Sequence, residues 1–202
     1  MFGYEKDGVS QFERVARHYD RVFGRSSPNA HRIIVDLVRS EKSATHVLDV
    51  GSGTGLLLQT LADEMPQIRR LHGIDPAARM VEVARERLPQ AEFVLATAES
   101  IPTEASEFDL VVSSESFGHW RDQPEGLREI HRVLKPGGAA VLVEHVPPRG
   151  WKRWLFYAAG TLPRYLSLQD MADLGSKSGF LVDESENRDG YTVIVLRKDH
   201  GK

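Results

Sequence analysis

Between His46 and Val146 the chain alternates short apolar runs with amphipathic stretches, and this rhythm restricts its fold more than any single residue does. "HVLDV", "RLHGID", "AEFVLA", "FDLVVS" and "AAVLVEHV" read as buried strands. Among them, "GLLLQTLADEM" is a helix turning Leu57, Leu58, Leu61, Ala62 and Met65 inward, and "AARMVEVARERL" turns Met80, Val81, Ala84 and Leu88 inward. "PEGLREIHRVL" is a further helix, stopped by "KPGG", where Pro136 and Gly137 oppose its continuation. Strands joined through helices lie parallel, in a sheet covered on both faces. The expected class is α/β, doubly wound.

Both flanks add to this frame. Ser10 to Gly24 reads as a helix, with Ser10 and Glu13 as a capping box and Phe12, Val15, Ala16, Tyr19 and Phe23 on one face. A second helix opens at "SPNA", with Ser27 as N-cap and Pro28 at the first helical position. Its apolar face carries Ile33, Ile34, Leu37 and Val38. After Val146 the rhythm breaks at residues 147–166, an aromatic and basic insert flanked by prolines. "SLQDMADLGSKSGF" then reads as a helix capped by Ser167, followed by "FLVDES" and "YTVIVLRK" as a hairpin joined by "ENRDG". The hairpin sets one antiparallel strand on an otherwise parallel sheet. Without a repeat, low-complexity tract or linker, residues 1–202 are expected to form one domain, with 1–44 as a helical cap and 147–166 as a lid.

Composition excludes several chemistries. There is no cysteine, hence no disulfide, thiol nucleophile or thiolate metal site, and the eight histidines show no metal-ligand spacing. The net charge of −3 leaves no overall footprint for duplex nucleic acid or an anionic membrane. The start lacks the pattern of a secretory signal and no apolar run approaches a membrane span, so the expected location is cytoplasmic.

"VLDVGSGTG" then asks which ligand needs so much bare backbone beyond a buried strand, the place where doubly wound sheets bind. A dinucleotide fingerprint would need a glycine where Leu56 stands, and a phosphate-cradling loop would need a lysine that the turn lacks. Asp49, just before the loop, is a poor neighbour for a pyrophosphate and a good one for an ammonium or sulfonium.

With "GIDPAARMVEVARERL", "ATAESIP", "FDLVVSSESFGHW" and "LREIHRVLKPGG" following in order, the chain resembles the class I S-adenosylmethionine-dependent methyltransferase family from roughly Tyr19 to Phe180. The likeness is to its small-molecule branch, which contains the ubiquinone/menaquinone-biosynthesis enzymes. It implies a Rossmann-like, mostly parallel seven-stranded sheet with one antiparallel strand and two N-terminal helices. It also implies S-adenosyl-L-methionine as cofactor and S-adenosyl-L-homocysteine as product. Carried over by motif, Asp49 and the backbone of Gly51, Ser52, Gly53 and Gly55 line the methionine end, and Asp75 grips the ribose. Pro76 and Met80 border the adenine; Thr97, Ala98 and Glu99 pass beside it, although the family commonly has an aspartate where Thr97 stands. Ser113 faces the cofactor through its backbone, and Tyr19 closes over the methionine end.

In the same resemblance "SSESFGHWRD" matches a segment where a His-Trp or His-His pair follows the fourth strand. His119 is the first candidate base or substrate-orienting group; His145 and Glu144, ending the fifth strand, point to the same rim, and Glu115 is a further candidate. The Asn/Asp-Pro-Pro-Tyr/Phe motif of enzymes methylating base or glutamine amino groups is replaced here by "SSES". The insert, with Trp151, Trp154, Phe156, Tyr157 and Tyr165 among Arg149, Lys152, Arg153 and Arg164, suits an aromatic or hydrophobic acceptor and also a peripheral membrane contact. The reading is methyl transfer to a small molecule by in-line displacement, with nucleic-acid methylation and cofactor binding without transfer as alternatives. Accepting atom and oligomeric state stay open.

Overall fold

The computed structural model describes Ala16, residues 27–146 and residues 166–201. Tyr19 and the rest of the Ser10–Gly24 stretch lie outside the described residues, as does the insert up to residue 165. The elements are α1 (Ser27–Val38), β1 (His46–Val50), α2 (Leu56–Glu64), β2 (Arg70–Asp75), α3 (Ala78–Arg87), β3 (Glu92–Leu95), β4 (Phe108–Ser114), α4 (Gln123–Val133), β5 (Leu134–His145), α5 (Leu168–Lys177), β6 (Phe180–Arg188) and β7 (Tyr191–Lys198). A short 3-10 turn, Phe117–His119, follows β4.

The seven strands form one sheet in the order β3-β2-β1-β4-β5-β7-β6. β7 runs antiparallel to both β5 and β6, and the pairs from β3 to β5 are parallel. The chain leaves β1 toward β2 and β3, then returns to lay β4 on the other side of β1. That reversal opens a crevice beyond the carboxyl ends of β1 and β4.

Side chains alternate between the sheet's faces along each strand. Val47, Leu110, Val112, Val141 and Val193 join one core with α1, α2 and α3, through Ile34, Leu58, Leu61 and Ala84. Leu48, Val111, Ala140, Leu142 and Ile194 join the other with α4 and α5, through Leu127, Ile130 and Met171. Each fully buried aliphatic side chain of this kind contributes about 1.5–3 kcal/mol relative to exposure. The α4 start is capped by Asp122, whose carboxylate accepts from Glu125 N (3.0 Å), and Ser167 caps α5 by accepting from Asp170 N (3.2 Å).

Some boundaries differ from the sequence reading. α1 takes Ser27 as its first residue rather than as its cap. "KPGG" ends α4 but is no loop: β5 begins at Leu134, and its register with β4 jumps from Phe108–Leu134 to Leu110–Ala139. The surplus residues form a bulge that Gly137 enters at φ 79°. β6 runs on to Arg188, so only Asp189 (φ 52°) and Gly190 (φ 87°) turn the hairpin. Two left-handed residues match the twist of the flanking strands, which explains Asp-Gly there. His46 and His72 sit part-buried in β1 and β2, and His131 part-buried on α4. Among the described residues no helix is long and apolar enough to cross a membrane.

Candidate active site

β1 carries Asp49 and Val50 to the crevice, and the backbone then turns sharply. Gly51 N and Ser52 N both donate to Ile74 O on β2, at 2.9 Å each. Gly51 stands at φ 79°, and a β-carbon there would lie 2.4 Å from the Ser116 side chain. Gly53, at φ 52°, faces open space, with nothing within 4 Å of a β-carbon position. A β-carbon at Gly55 would lie 3.0 Å from the Phe93 ring and 3.1 Å from Ala84, so helix–sheet packing also calls for a bare residue there. The loop is also pinned from outside, because Arg87 Nη1 donates to Thr54 O (2.9 Å) and Thr54 Oγ1 (2.7 Å).

Two acids meet at this turn. Asp75, ending β2, accepts from Gly53 N (2.9 Å) and from Ala77 N (2.8 Å), and so holds the loop to the strand tip. Asp49 is buried, and its Oδ1 has no hydrogen-bond partner. Burial, then the charge of Asp75, pushes the Asp49 carboxyl up to about 8. Ser52 Oγ is likewise buried without a partner, and Gly55 caps α2 with no side-chain bond. Of the other residues assigned to the cofactor, Pro76 is exposed and Met80 is buried with Ala16 and Ala77. Thr97 bridges Ser100 in a tight turn, and Ala98 is buried in the second core. Glu99 Oε1 accepts from Arg121 N (2.7 Å) and Asp122 N (3.1 Å).

Across the crevice, the segment after β4 is strapped onto the glycine turn. Ser116 Oγ donates to Val50 O (2.8 Å), lies 2.8 Å from Ser113 Oγ and receives Trp120 Nε1 (3.3 Å). Sequence reasoning missed Ser116; "SSES" was used only for the motif it replaces. Next to it, Glu115 takes φ 54°, held there by its N–H to Val143 O (2.8 Å). Its Oε1 lies 2.6 Å from His145 Nε2, and Tyr191 OH donates to the same oxygen at 3.4 Å. Tyr191 stacks on the His145 ring, centroids 5.0 Å apart. Glu144 is buried and accepts from Gly118 N (2.9 Å) and His145 N (2.8 Å).

These contacts divide the titration of the cluster. The Glu115 hydrogen bond, opposed by burial and aided by the charges of Glu115 and Glu144, raises the His145 pKa. Burial raises the Glu144 carboxyl. Desolvation, then the positive charge of His145, lowers the His119 pKa even though solvent reaches its ring. Tyr191 is pushed up to about 12 by burial and by Glu115. Glu115, His145 and His119, the three acceptor-side candidates, thus share one rim. Tyr191 was missed because it arrives from β7, paired opposite His145. Among the described residues no group of three or more acidic or histidine side chains is placed to hold a metal ion.

A doubly wound sheet, a glycine turn at its reversal point and acids at two adjoining strand tips define a Rossmann-like methyltransferase class. Residues 48–142 match the methyltransferase domain family. The demethylmenaquinone methyltransferase of Chlorobaculum tepidum is 34% identical over 70% of this chain and 56% of that protein. That of Thermotoga maritima is 32% identical over 71% of this chain and 64% of its own length. A 2-phytyl-1,4-naphtoquinone methyltransferase from Thermosynechococcus vestitus is 32% identical over 68% and 64%. The chain therefore spans 56–64% of the length of these relatives. In fold it is similar to phosphoethanolamine N-methyltransferase 2 of Haemonchus contortus (TM-score 0.80, 18% identity, covering 98% of this chain and 60% of that one) and to the [4+2]-cyclase SpnF (TM-score 0.72, 21% identity, 85% and 81%). Residues 48–142 thus carry a methyltransferase domain, and over about 70% of its length the chain is similar to methyltransferases of quinone biosynthesis.

Proposed function

We propose that the protein transfers a methyl group from S-adenosylmethionine to a small-molecule acceptor. The observation that carries this is the buried, unpartnered Asp49 oxygen beside a glycine turn that is open at Gly53. An orphaned carboxylate is costly unless a cation or donor meets it, and the cofactor's methionyl end carries both. Ser52 Oγ and the uncapped α2 N-terminus suit its carboxylate in the same way. Asp75, already oriented by two backbone donors, is the acid for the ribose hydroxyls, with Met80, Thr97 and Ala98 around the base. When bound, the cofactor supplies a methyl group on a sulfonium, a cationic leaving group.

The chain's own part is to position the acceptor in line with that methyl and to exclude water. His119, His145 and Glu115 face the acceptor from the β4–β5 rim. A small organic acceptor is supported by the quinone substrates in the relatives' names and by the absence of any strongly basic overall charge.

Calorimetry with S-adenosylmethionine tests the cofactor assignment. Asp75→Ala is expected to weaken binding about 10- to 100-fold, the worth of a lost charge-assisted hydrogen bond, and unchanged affinity overturns the ribose role. Release of S-adenosylhomocysteine across acceptor classes separates transfer from binding alone.

A further inference from the structure

We propose that residues 116–122 form a bridge slung between two cofactor loops, with Ser116 and Glu99 as positioning residues through which cofactor occupancy sets the acceptor-facing turn. This rests on the methyltransferase reading above and deepens it. Ser116 gains a role, and Glu99 moves from the cofactor to the turn.

The near anchor is the Ser116 hydroxyl, which has one proton to give and two lone pairs to receive with. Its proton goes to Val50 O (2.8 Å), the carbonyl just before the glycine turn, and Trp120 Nε1 donates to it at 3.3 Å. Ser113 Oγ, 2.8 Å away, is therefore the donor in its pair with Ser116, and the hydroxyl is fully used. A second contact is steric. A β-carbon on Gly51 would lie 2.4 Å from the Ser116 side chain, so turn and bridge pack without a gap. The far anchor is Glu99, in the loop after β3. Its Oε1 accepts from both Arg121 N (2.7 Å) and Asp122 N (3.1 Å), charge-assisted bonds of the stronger kind. Asp122 also caps α4, so this end is fixed to a helix as well.

Between the anchors the 3-10 turn is clamped from both sides. Glu144 Oε2 takes Gly118 N at 2.9 Å, and Gln123 Nε2 donates to Phe117 O at 3.0 Å. Trp120 meets Phe117 edge to face, with centroids 4.8 Å apart. Phe117, Gly118 and Trp120 are buried, and His119 is exposed. The bridge thus holds its neighbours down and presents one imidazole. Its place is set by a loop at each end, and the cofactor reading puts a ligand against both: residues 51–55 at the methionine end, Thr97 and Ala98 at the base.

In the empty site the glycine turn keeps an unpartnered Asp49 oxygen and open space at Gly53. A ligand that supplies the missing partner restricts the turn, and restriction at Val50 passes to Ser116 through contiguous bonds. The coupling is reciprocal, so an acceptor held by the bridge tightens the cofactor in turn. The gain for the reaction is register. In-line transfer tolerates little misplacement, about 1 Å costing up to about 100-fold. A turn hung from the cofactor loops moves with the methyl group.

The full chain serves for the test, with S-adenosylhomocysteine as the probe. Amide hydrogen exchange is followed by mass spectrometry at residues 50–55 and 117–122, with each protein empty and at about 100 times its own calorimetric Kd. Binding is expected to slow exchange at least about tenfold in both segments of the wild type. In Ser116→Ala the slowing should persist at 50–55 and fall below about threefold at 117–122. Glu99→Ala, at the other anchor, carries the same expectation and decides the matter if Ser116→Ala does not fold. Glu99→Gln, which keeps an acceptor oxygen, should recover about half of the slowing or more. Side chains that merely pack would leave the difference between loaded and empty protein as in wild type. The proposal is overturned if 117–122 in the wild type exchanges alike with and without the probe. It is overturned equally if Ser116→Ala or Glu99→Ala keeps the wild-type slowing there, or if Glu99→Gln does no better than Glu99→Ala. A wild-type chain without calorimetric affinity for S-adenosylhomocysteine removes the cofactor reading and the bridge with it, and calorimetry tells that failure from the others.

Discussion

The two banks of the crevice are built in opposite ways. On the β1–β2 bank the functional groups are backbone turns and two buried acids, one tied to main-chain donors and the other left with an unpartnered oxygen. On the β4–β5–β7 bank they are side chains paired to each other, Glu115 with His145 and Tyr191, and Glu144 with two backbone donors. The first bank stores unsatisfied polarity that a ligand relieves. The second sets protonation states in advance. Unsatisfied polarity and preset protonation are opposite arrangements, and the same residues cannot supply both.

The largest expected effect comes from breaking a point where the banks touch. A β-carbon at Gly51 would sit 2.4 Å from Ser116, and the residue would have to keep φ 79°. Gly51→Ala therefore combines left-handed strain with overpacking and should cost about 2–4 kcal/mol in denaturant unfolding. It should also displace the Ser116 strap, so cofactor affinity and turnover fall together. If it instead weakens binding while turnover at saturating cofactor is unchanged, the banks are independent.

The first bank was legible in the sequence and the second only in part. A backbone that must turn left-handed and approach a ligand needs glycine and leaves little choice, so "DVGSGTG" declared itself, as did the strands with their strict alternation. Yet even there Gly53 and Gly55 look alike in sequence, and only the Phe93 and Ala84 side chains near a β-carbon position at Gly55 separate the crowded position from the open one. His145 and Glu115 were legible as strand ends. Tyr191 was not, because its partner lies 76 residues earlier and the pairing depends on β7 settling antiparallel beside β5. The bulge at "KPGG" was hidden for a related reason: Pro and Gly end a helix whether or not a strand starts at once.

Asp49 sharpens the comparison through pH. Its carboxyl is pushed up to about 8 in the folded chain, so between about pH 4 and 8 the native state holds a proton that the unfolded chain has released. Stability of the cofactor-free protein should then fall as pH rises across that window, by up to about 1.4 kcal/mol per unit. Asp49→Asn has no proton to lose; its curve should be flatter, and above pH 7 it should be more stable than wild type while binding S-adenosylmethionine less tightly. Thermal melts at several pH values and calorimetry read the two opposite signs. A variant that loses stability along with affinity would mean that Asp49 already has a cationic partner.

Gly53→Ala should be milder. No atom meets the new methyl, and the left-handed position costs about 1–2 kcal/mol. If open space at Gly53 is where the cofactor lies, the loss of affinity should exceed what that strain predicts from the melting temperature. Equal losses would place the ligand elsewhere on the loop.

The smallest effect belongs to Tyr191→Phe, and it isolates the second bank. The ring is buried, and phenylalanine can keep both its packing and its stack on His145. Only the hydroxyl is lost, and its bond to Glu115 is long at 3.4 Å, so stability should change by about 0.5–1.5 kcal/mol or less. Cofactor affinity should not move, since the hydroxyl meets Glu115 and the ring stacks on His145, both on the β4–β5–β7 bank. The imidazole is what should respond. Without the phenol, Glu115 keeps its charge more available to His145, so the His145 midpoint in a proton NMR titration should rise slightly. A downward movement, or a change in cofactor affinity without one, would show that Tyr191 shapes the pocket as a whole rather than tuning the Glu115–His145 pair, and the division between the banks would fail at its most conservative test.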